Sequence, residues 1–121
     1  MKLTSSTGLS TIGASASSQV FQVTEGYWNL YVTGTPATST LTLKWCRTKD
    51  GTFVTYCANN SAGTPTNFTI SSTQVASSSI GFRSLMIDSG MFFRFDSDAN
   101  GSPAWQIDVN GPNVSPVAIS T

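Results

Sequence analysis

Histidine is absent from this chain of 121 residues. That removes the usual general base near neutral pH, so neither a Ser–His nor a Cys–His nucleophile can be assembled. Charge is scarce as well. Six basic residues balance six acidic ones, and together they make up 10% of the chain. No basic stripe follows from them, so nucleic acid is not expected as a partner. No apolar run approaches the roughly 18 residues of a membrane-spanning helix, and no membrane partner is expected. The first residues, Met1–Thr11, hold one lysine and no apolar stretch, so a conventional signal peptide is not expected in them. There are only two cysteines, Cys46 and Cys57. Without histidine or a second cysteine pair they cannot complete a tetrahedral metal shell.

What the chain does contain is hydroxyls, aromatics and alternation. Serine and threonine occupy 36 positions, and 13 residues are aromatic. The aromatics can supply much of a core, and a chain of this length sits at the usual size of one domain. Residues 1–18 are rich in Ser, Thr, Gly and Ala and weakly patterned. They read as a flexible N-terminal arm, with one short strand at Leu9–Gly13: either a frayed terminus or an arm that orders against a neighbouring subunit. Residues 19–121 read as the body.

The body alternates from strand to turn. Val20–Thr24 stops at Glu25-Gly26. Tyr27–Thr33 sets Trp28, Leu30 and Val32 on one face and Tyr27, Asn29 and Tyr31 on the other. Thr40–Arg47 sets Leu41, Leu43 and Trp45 together. Asp50-Gly51 is a hairpin signal. A two-residue turn there would place Trp45 opposite Tyr56 and Arg47 opposite Val54, with Val54 and Tyr56 joining the face of Leu43. Phe68 and Ile70 point inward from a short strand, Ser72–Ser79 connects, and Asp88-Ser89-Gly90 turns the chain. Met91–Asp96 and Ala104–Asn110 alternate Phe93, Phe95, Trp105 and Ile107 inward. Val114–Ile119 carries Pro116, which fits an edge strand. Seven to nine short strands and no helical period predict an all-β fold, a single antiparallel β-sandwich or jelly roll.

Sites are few. Cys46 and Cys57 lie on opposite arms of the expected hairpin. They are diagonal neighbours in the favoured register and face each other only after a slip of two residues, so a disulfide is allowed but not required. Asp96-Ser97-Asp98-Ala99-Asn100-Gly101 matches the opening of a calcium loop. Its twelfth position is Ile107, where a bidentate carboxylate is needed, so no metal is expected. Carboxylates at Asp88, Asp96, Asp98 and Asp108 do not suggest a catalytic pair: two sit in a loop and Asp108 points outward. Neither an enzyme nor a cofactor is expected. The strongest binding signal is aromatics on the face opposite the core: Tyr27, Tyr31, Phe53 and Phe92. They suit a second packed layer or cross-strand pairs, or else a subunit interface or a sugar-stacking platform.

The run Phe21–Thr35, with Gly26-Tyr27-Trp28 at its centre, leads to Leu41-Thr42-Leu43-Lys44-Trp45, then Asp50-Gly51-Thr52-Phe53-Val54. Gly90-Met91-Phe92-Phe93-Arg94-Phe95 follows later. Over roughly Phe21–Val109 this pattern resembles small all-β structural proteins of tailed bacteriophages, in particular capsid cement (decoration) proteins. The resemblance implies a jelly-roll-like body on the outside of the virion. There it would clamp neighbouring copies of the major capsid protein, as a homo-oligomer on the capsid, with no catalytic residues. Cys46 and Cys57 are not part of the pattern. The alternatives are a phage tail or fibre component, or a carbohydrate-binding β-sandwich module.

Overall fold

The structure is a computed structural model that describes residues 1–23, 26–59, 62–71, 81–87, 91–111 and 114–117. For residues 26–28, 58–59, 81–87 and 116 it describes the backbone alone. The expected stop at Glu25, the side chains of Tyr27 and Trp28, the connection Ser72–Ser79 and the turn Asp88-Ser89-Gly90 therefore lie outside the described side chains or residues.

Among the described residues there are twelve strands and no helix: β1 (Lys2–Leu3), β2 (Phe21–Val23), β3 (Gly26–Thr35), β4 (Thr40–Cys46), β5 (Val54–Thr55), β6 (Cys57–Asn59), β7 (Pro65–Asn67), β8 (Thr69–Ser71), β9 (Gly81–Ile87), β10 (Met91–Ser97), β11 (Ala104–Asn110) and β12 (Val114–Pro116). All pairings are antiparallel. A four-stranded sheet runs β1-β11-β3-β9. A six-stranded sheet runs β12-β2-β10-β4-β5, with β8 also on β4, and β6-β7 form a separate ribbon.

The pairs β2/β10, β3/β9, β4/β8 and β6/β7 are nested one inside the next. Successive pairs of the outer three fall alternately in the six-stranded, the four-stranded and again the six-stranded sheet. That is the plan of a jelly roll, one long antiparallel ribbon rolled into two layers. The inward faces of both layers meet in one core of Leu30, Val32, Leu41, Leu43, Phe93, Phe95, Trp105 and Ile107, joined by Leu3, Ile12, Phe21, Val23, Ile70 and Val109. Alternation dictated most of this, since successive side chains in a strand point to opposite faces. Phe93 stacks with Phe21 at 5.8 Å and Trp45 at 6.4 Å, and Tyr56 meets it edge-on at 6.1 Å. Pro116 sits in β12, an outermost strand, as a proline should.

Residues 1–18, expected as an arm apart from the body, lie against it. β1 pairs with β11, Ser5 bridges Ser18, and Ser17 bridges Asp96 of β10. Backbone bonding therefore passes from the four-stranded sheet through the N-terminal segment to the six-stranded sheet, closing one side of the sandwich. Leu3 and Ile12 are fully buried. Leu9–Gly13 forms no strand; Ile12 alone bridges Trp105, exchanging hydrogen bonds of 2.9 and 3.0 Å. Composition misled here because two well-placed apolar side chains suffice to fasten a polar segment.

The β4–β5 hairpin also differs from expectation. Trp45 pairs with Val54 and Lys44 with Thr55. The turn is Thr48-Lys49-Asp50-Gly51, closed by Gly51 N donating to Thr48 O at 3.4 Å. Glycine stands last in this turn, a place it favours, rather than at a central position needing positive φ. Its lack of a side chain makes room for Cys46 Sγ and Thr48 Oγ1. Moving the turn by one residue shifts each partner by two, so face parity is kept. Val54 nevertheless is 55% exposed, because β5 is only two residues long at the margin of its sheet. Trp45 and Tyr56, expected inside, are partly buried at the core's edge. At Gly34, by contrast, φ is +103° and a Cβ would run into the Ala104 carbonyl oxygen, so that position in β3 requires glycine.

Beyond Thr55 the chain forks. Tyr56 N donates to Leu43 O at 2.9 Å, Leu43 N to Phe68 O at 3.0 Å, and Phe68 N to Tyr56 O at 2.9 Å. This ring of three bonds lets β5 leave the edge of β4 and β8 take it over. The β6–β7 ribbon projects from the fork.

Candidate functional site

The four aromatics expected at an interface do not form one platform. Tyr31 is on the outer face of β3, opposite Asp108 of β11, and 38% exposed. Lys2 of β1 also pairs with Asp108, and Lys2, Tyr31, Thr33 and Gln106 edge a shallow groove. Phe53 and Phe92 belong to the other layer. Phe92 stands between Gln22 and Cys46 on the outer face of the six-stranded sheet and is half-buried. Phe53 is half-buried under the guanidinium of Arg94, 4.7 Å from its ring centroid, an arrangement that satisfies cation and ring together. The side chain of Tyr27 is outside the description.

Cys46 and Cys57 are both free thiols. The slip that would join them runs in the other direction from the one observed, and Cys57 pairs with Asn67 in the β6–β7 ribbon instead.

A half-open groove of about 310 Å³ lies where residues 15–17 cross beside β10 and β4. Ser15, Ser17, Thr42, Lys44, Asp96 and Asp98 line it. Asp96 is engaged from two sides, by Lys44 Nζ at 3.1 Å and by Arg94 Nε at 3.0 Å. Exposed or half-exposed ion pairs of this kind contribute about 0–1 kcal/mol. Asp98 accepts from Ser39 Oγ at 2.8 Å and from the Asn100 amide at 3.1 Å. The Ser39 hydroxyl holds the Asp98 carboxyl below its ordinary value; burial opposes it, and lesser contacts from the Asn100 and Thr40 backbone and the Asn100 side chain act with Ser39. The two acidic residues of the calcium-like loop thus face separate partners. They do not converge, and no cluster of three or more potential metal ligands occurs among the described residues.

Chemically, the groove offers hydroxyls, one lysine amine and two carboxyl groups, all fitted to hydrogen bonding. Sequence reasoning missed two things. One is Ser39, fully buried, which gathers Ser97 Oγ at 2.9 Å, Asp98 and Trp105 Nε1 at 3.4 Å. No pattern marks one serine among so many. The other is that, besides Tyr31, two large apolar side chains stay wet: Leu9 and Val54. Leu9 figured in the sequence only as the start of an expected strand, which says nothing of its exposure.

No protein-family model matches the chain, and no curated protein matches it. Among solved structures, it is similar to a chain of the cowpea mosaic virus top component, described as naturally occurring empty particles. The TM-score is 0.34 and the identity 10%, and the match covers 90% of this chain and 61% of that one. The chain thus spans under two thirds of the length of the protein it matches.

Proposed function

We propose that this chain is a virion structural protein, a cement or decoration protein. In this reading it binds the outside of a bacteriophage capsid and strengthens contacts between neighbouring major capsid subunits. The observation that carries the reading is the placement of the exposed apolar side chains on separate sides of the body. Leu9 is 66% exposed on the N-terminal seam beyond β10, Val54 is on the opposite margin of the six-stranded sheet, and Tyr31 is on the outer face of the other layer. A module for one small ligand gathers its contacts in one pocket. A body that bridges neighbours needs them on several sides. The neutral, hydroxyl-rich composition and the likeness of Phe21–Val109 to cement proteins support the same reading.

No chemistry is required of such a protein. Each contact can be modest, because many copies on one lattice act together. The test adds purified protein to particles of the phage that encodes it, prepared without it. Saturable occupancy of the exterior and a higher temperature of DNA release are expected. Absence of exterior binding overturns the reading. Selective binding on a glycan array would then favour the carbohydrate-binding alternative.

A further inference from the structure

We propose that Leu9 is a preformed apolar anchor that seats in an apolar, uncharged-rimmed pocket on the protein this chain binds. The inference rests on the capsid-binding reading and says where one of its contacts lies. A single exposed leucine is ordinary on a protein surface. What distinguishes this one is the loop beneath it. Ser5 N donates to Leu9 O at 2.7 Å, Gly8 N to Ser5 O at 2.9 Å, and Leu9 N to Ser5 Oγ at 2.9 Å. Ser5 Oγ and Thr7 Oγ1 are 3.0 Å apart.

The base of the loop is fixed as well. Ser5 is buried and bridged to Ser18, and Ser6 N donates to Ser17 O at 2.8 Å. Gly8 has φ +92° with open space where a Cβ would stand, so glycine serves the turn itself. Folding has therefore already ordered the segment that presents Leu9. A leucine on a flexible tail would lose that entropy on binding; this one does not.

The surroundings indicate the partner. No charged side chain occurs between Leu3 and Thr24. Ser6, Thr7 and Ser10 around the tip are exposed. An apolar centre with an uncharged polar rim is the anatomy of a protein–protein contact. An anionic lipid surface would call for basic residues at the tip. Burying one leucine changes affinity about tenfold to a hundredfold, a modest amount per copy that sums over a lattice.

The test compares wild type, Leu9→Ser and Leu9→Met as full-length chains. Thermal unfolding of the free protein should be the same in all three, because Leu9 is exposed. Binding to particles lacking the protein should weaken at least tenfold for Leu9→Ser and stay near wild type for Leu9→Met. Equal binding by Leu9→Ser overturns the anchor while the capsid reading stands. Failure of wild type to bind overturns both. A lowered unfolding temperature for Leu9→Ser also overturns it, since Leu9 would then be packed within the fold. Wild-type binding to vesicles of phosphatidylglycerol and phosphatidylcholine, lost in Leu9→Ser, overturns the protein pocket in favour of lipid.

Discussion

Ser39 is fully buried, and its hydroxyl has one proton to give and two lone pairs to fill. The geometry uses all three. The proton goes to Asp98 Oδ1, the strongest acceptor in reach, while Ser97 Oγ and Trp105 Nε1 donate to the oxygen. One small side chain thereby ties the start of β4, the end of β10 and the largest core side chain of β11. Ser39→Ala strands several buried polar groups and should lower stability by about 1–3 kcal/mol in urea unfolding at neutral pH. The acid dependence follows from Asp98. Its carboxyl is held below its ordinary value, so its contribution is complete above about pH 4 and is lost as the pH falls through the folded-state value. The difference between wild type and Ser39→Ala should be constant between about pH 5 and 7 and shrink on further acidification. A difference independent of pH down to unfolding would detach Asp98 from this network.

At the scale of the element, Leu43 and Val54 separate parity from burial. Both belong to the face expected to be inside, and Val54 pairs directly with Trp45, next but one to Leu43. Leu43 is buried in the middle of β4, held between β10 and the fork of Tyr56 and Phe68. Val54 sits on a two-residue strand at the margin and stays exposed. Leu43→Ala should cost about 2–5 kcal/mol. Val54→Ala should cost about 0.5 kcal/mol or less. Urea denaturation of the two variants checks this, and comparable losses would show that Val54 is covered after all. The fork also explains why β4 has two partners on one edge: the ribbon β6–β7 departs between them.

For the whole molecule, the decisive feature is the closure of one side of the sandwich by residues 1–18. The same segment carries Leu3 and Ile12 into the core and Leu9 out to solvent. Removing it takes away two buried side chains, the partner of β11 and the bonds of Trp105 to Ile12. Each buried aliphatic side chain alone is worth about 2–5 kcal/mol, against a total stability of about 5–15 kcal/mol for a domain. A chain starting at residue 19 is therefore expected to lose cooperative thermal unfolding and the near-ultraviolet dichroism of its packed aromatics. Retention of a sharp transition would mean that the seam is dispensable, and that residues 1–18 are an accessory to the fold.

The pattern of residues by itself determined the all-β class, the strands β3, β4, β10 and β11 and the inward set Leu30, Val32, Leu41, Leu43, Phe93, Phe95, Trp105 and Ile107. Period-two alternation fixes which face of a strand is apolar, whatever that strand pairs with. Tertiary structure decided what depends on distance along the chain. Whether Tyr31, Phe53 and Phe92 share a surface depends on which sheet each strand joins. Whether Val54 is wet depends on how far β5 runs, and whether Cys46 meets Cys57 depends on where one turn is centred. The fate of residues 1–18 depends on strands far along the chain, as the pairing of Leu3 with Ile107 and the bridges of Ile12 to Trp105 and Ser17 to Asp96 show. Local composition there reads as unable to bury anything, and burial is a property of the neighbours as much as of the segment.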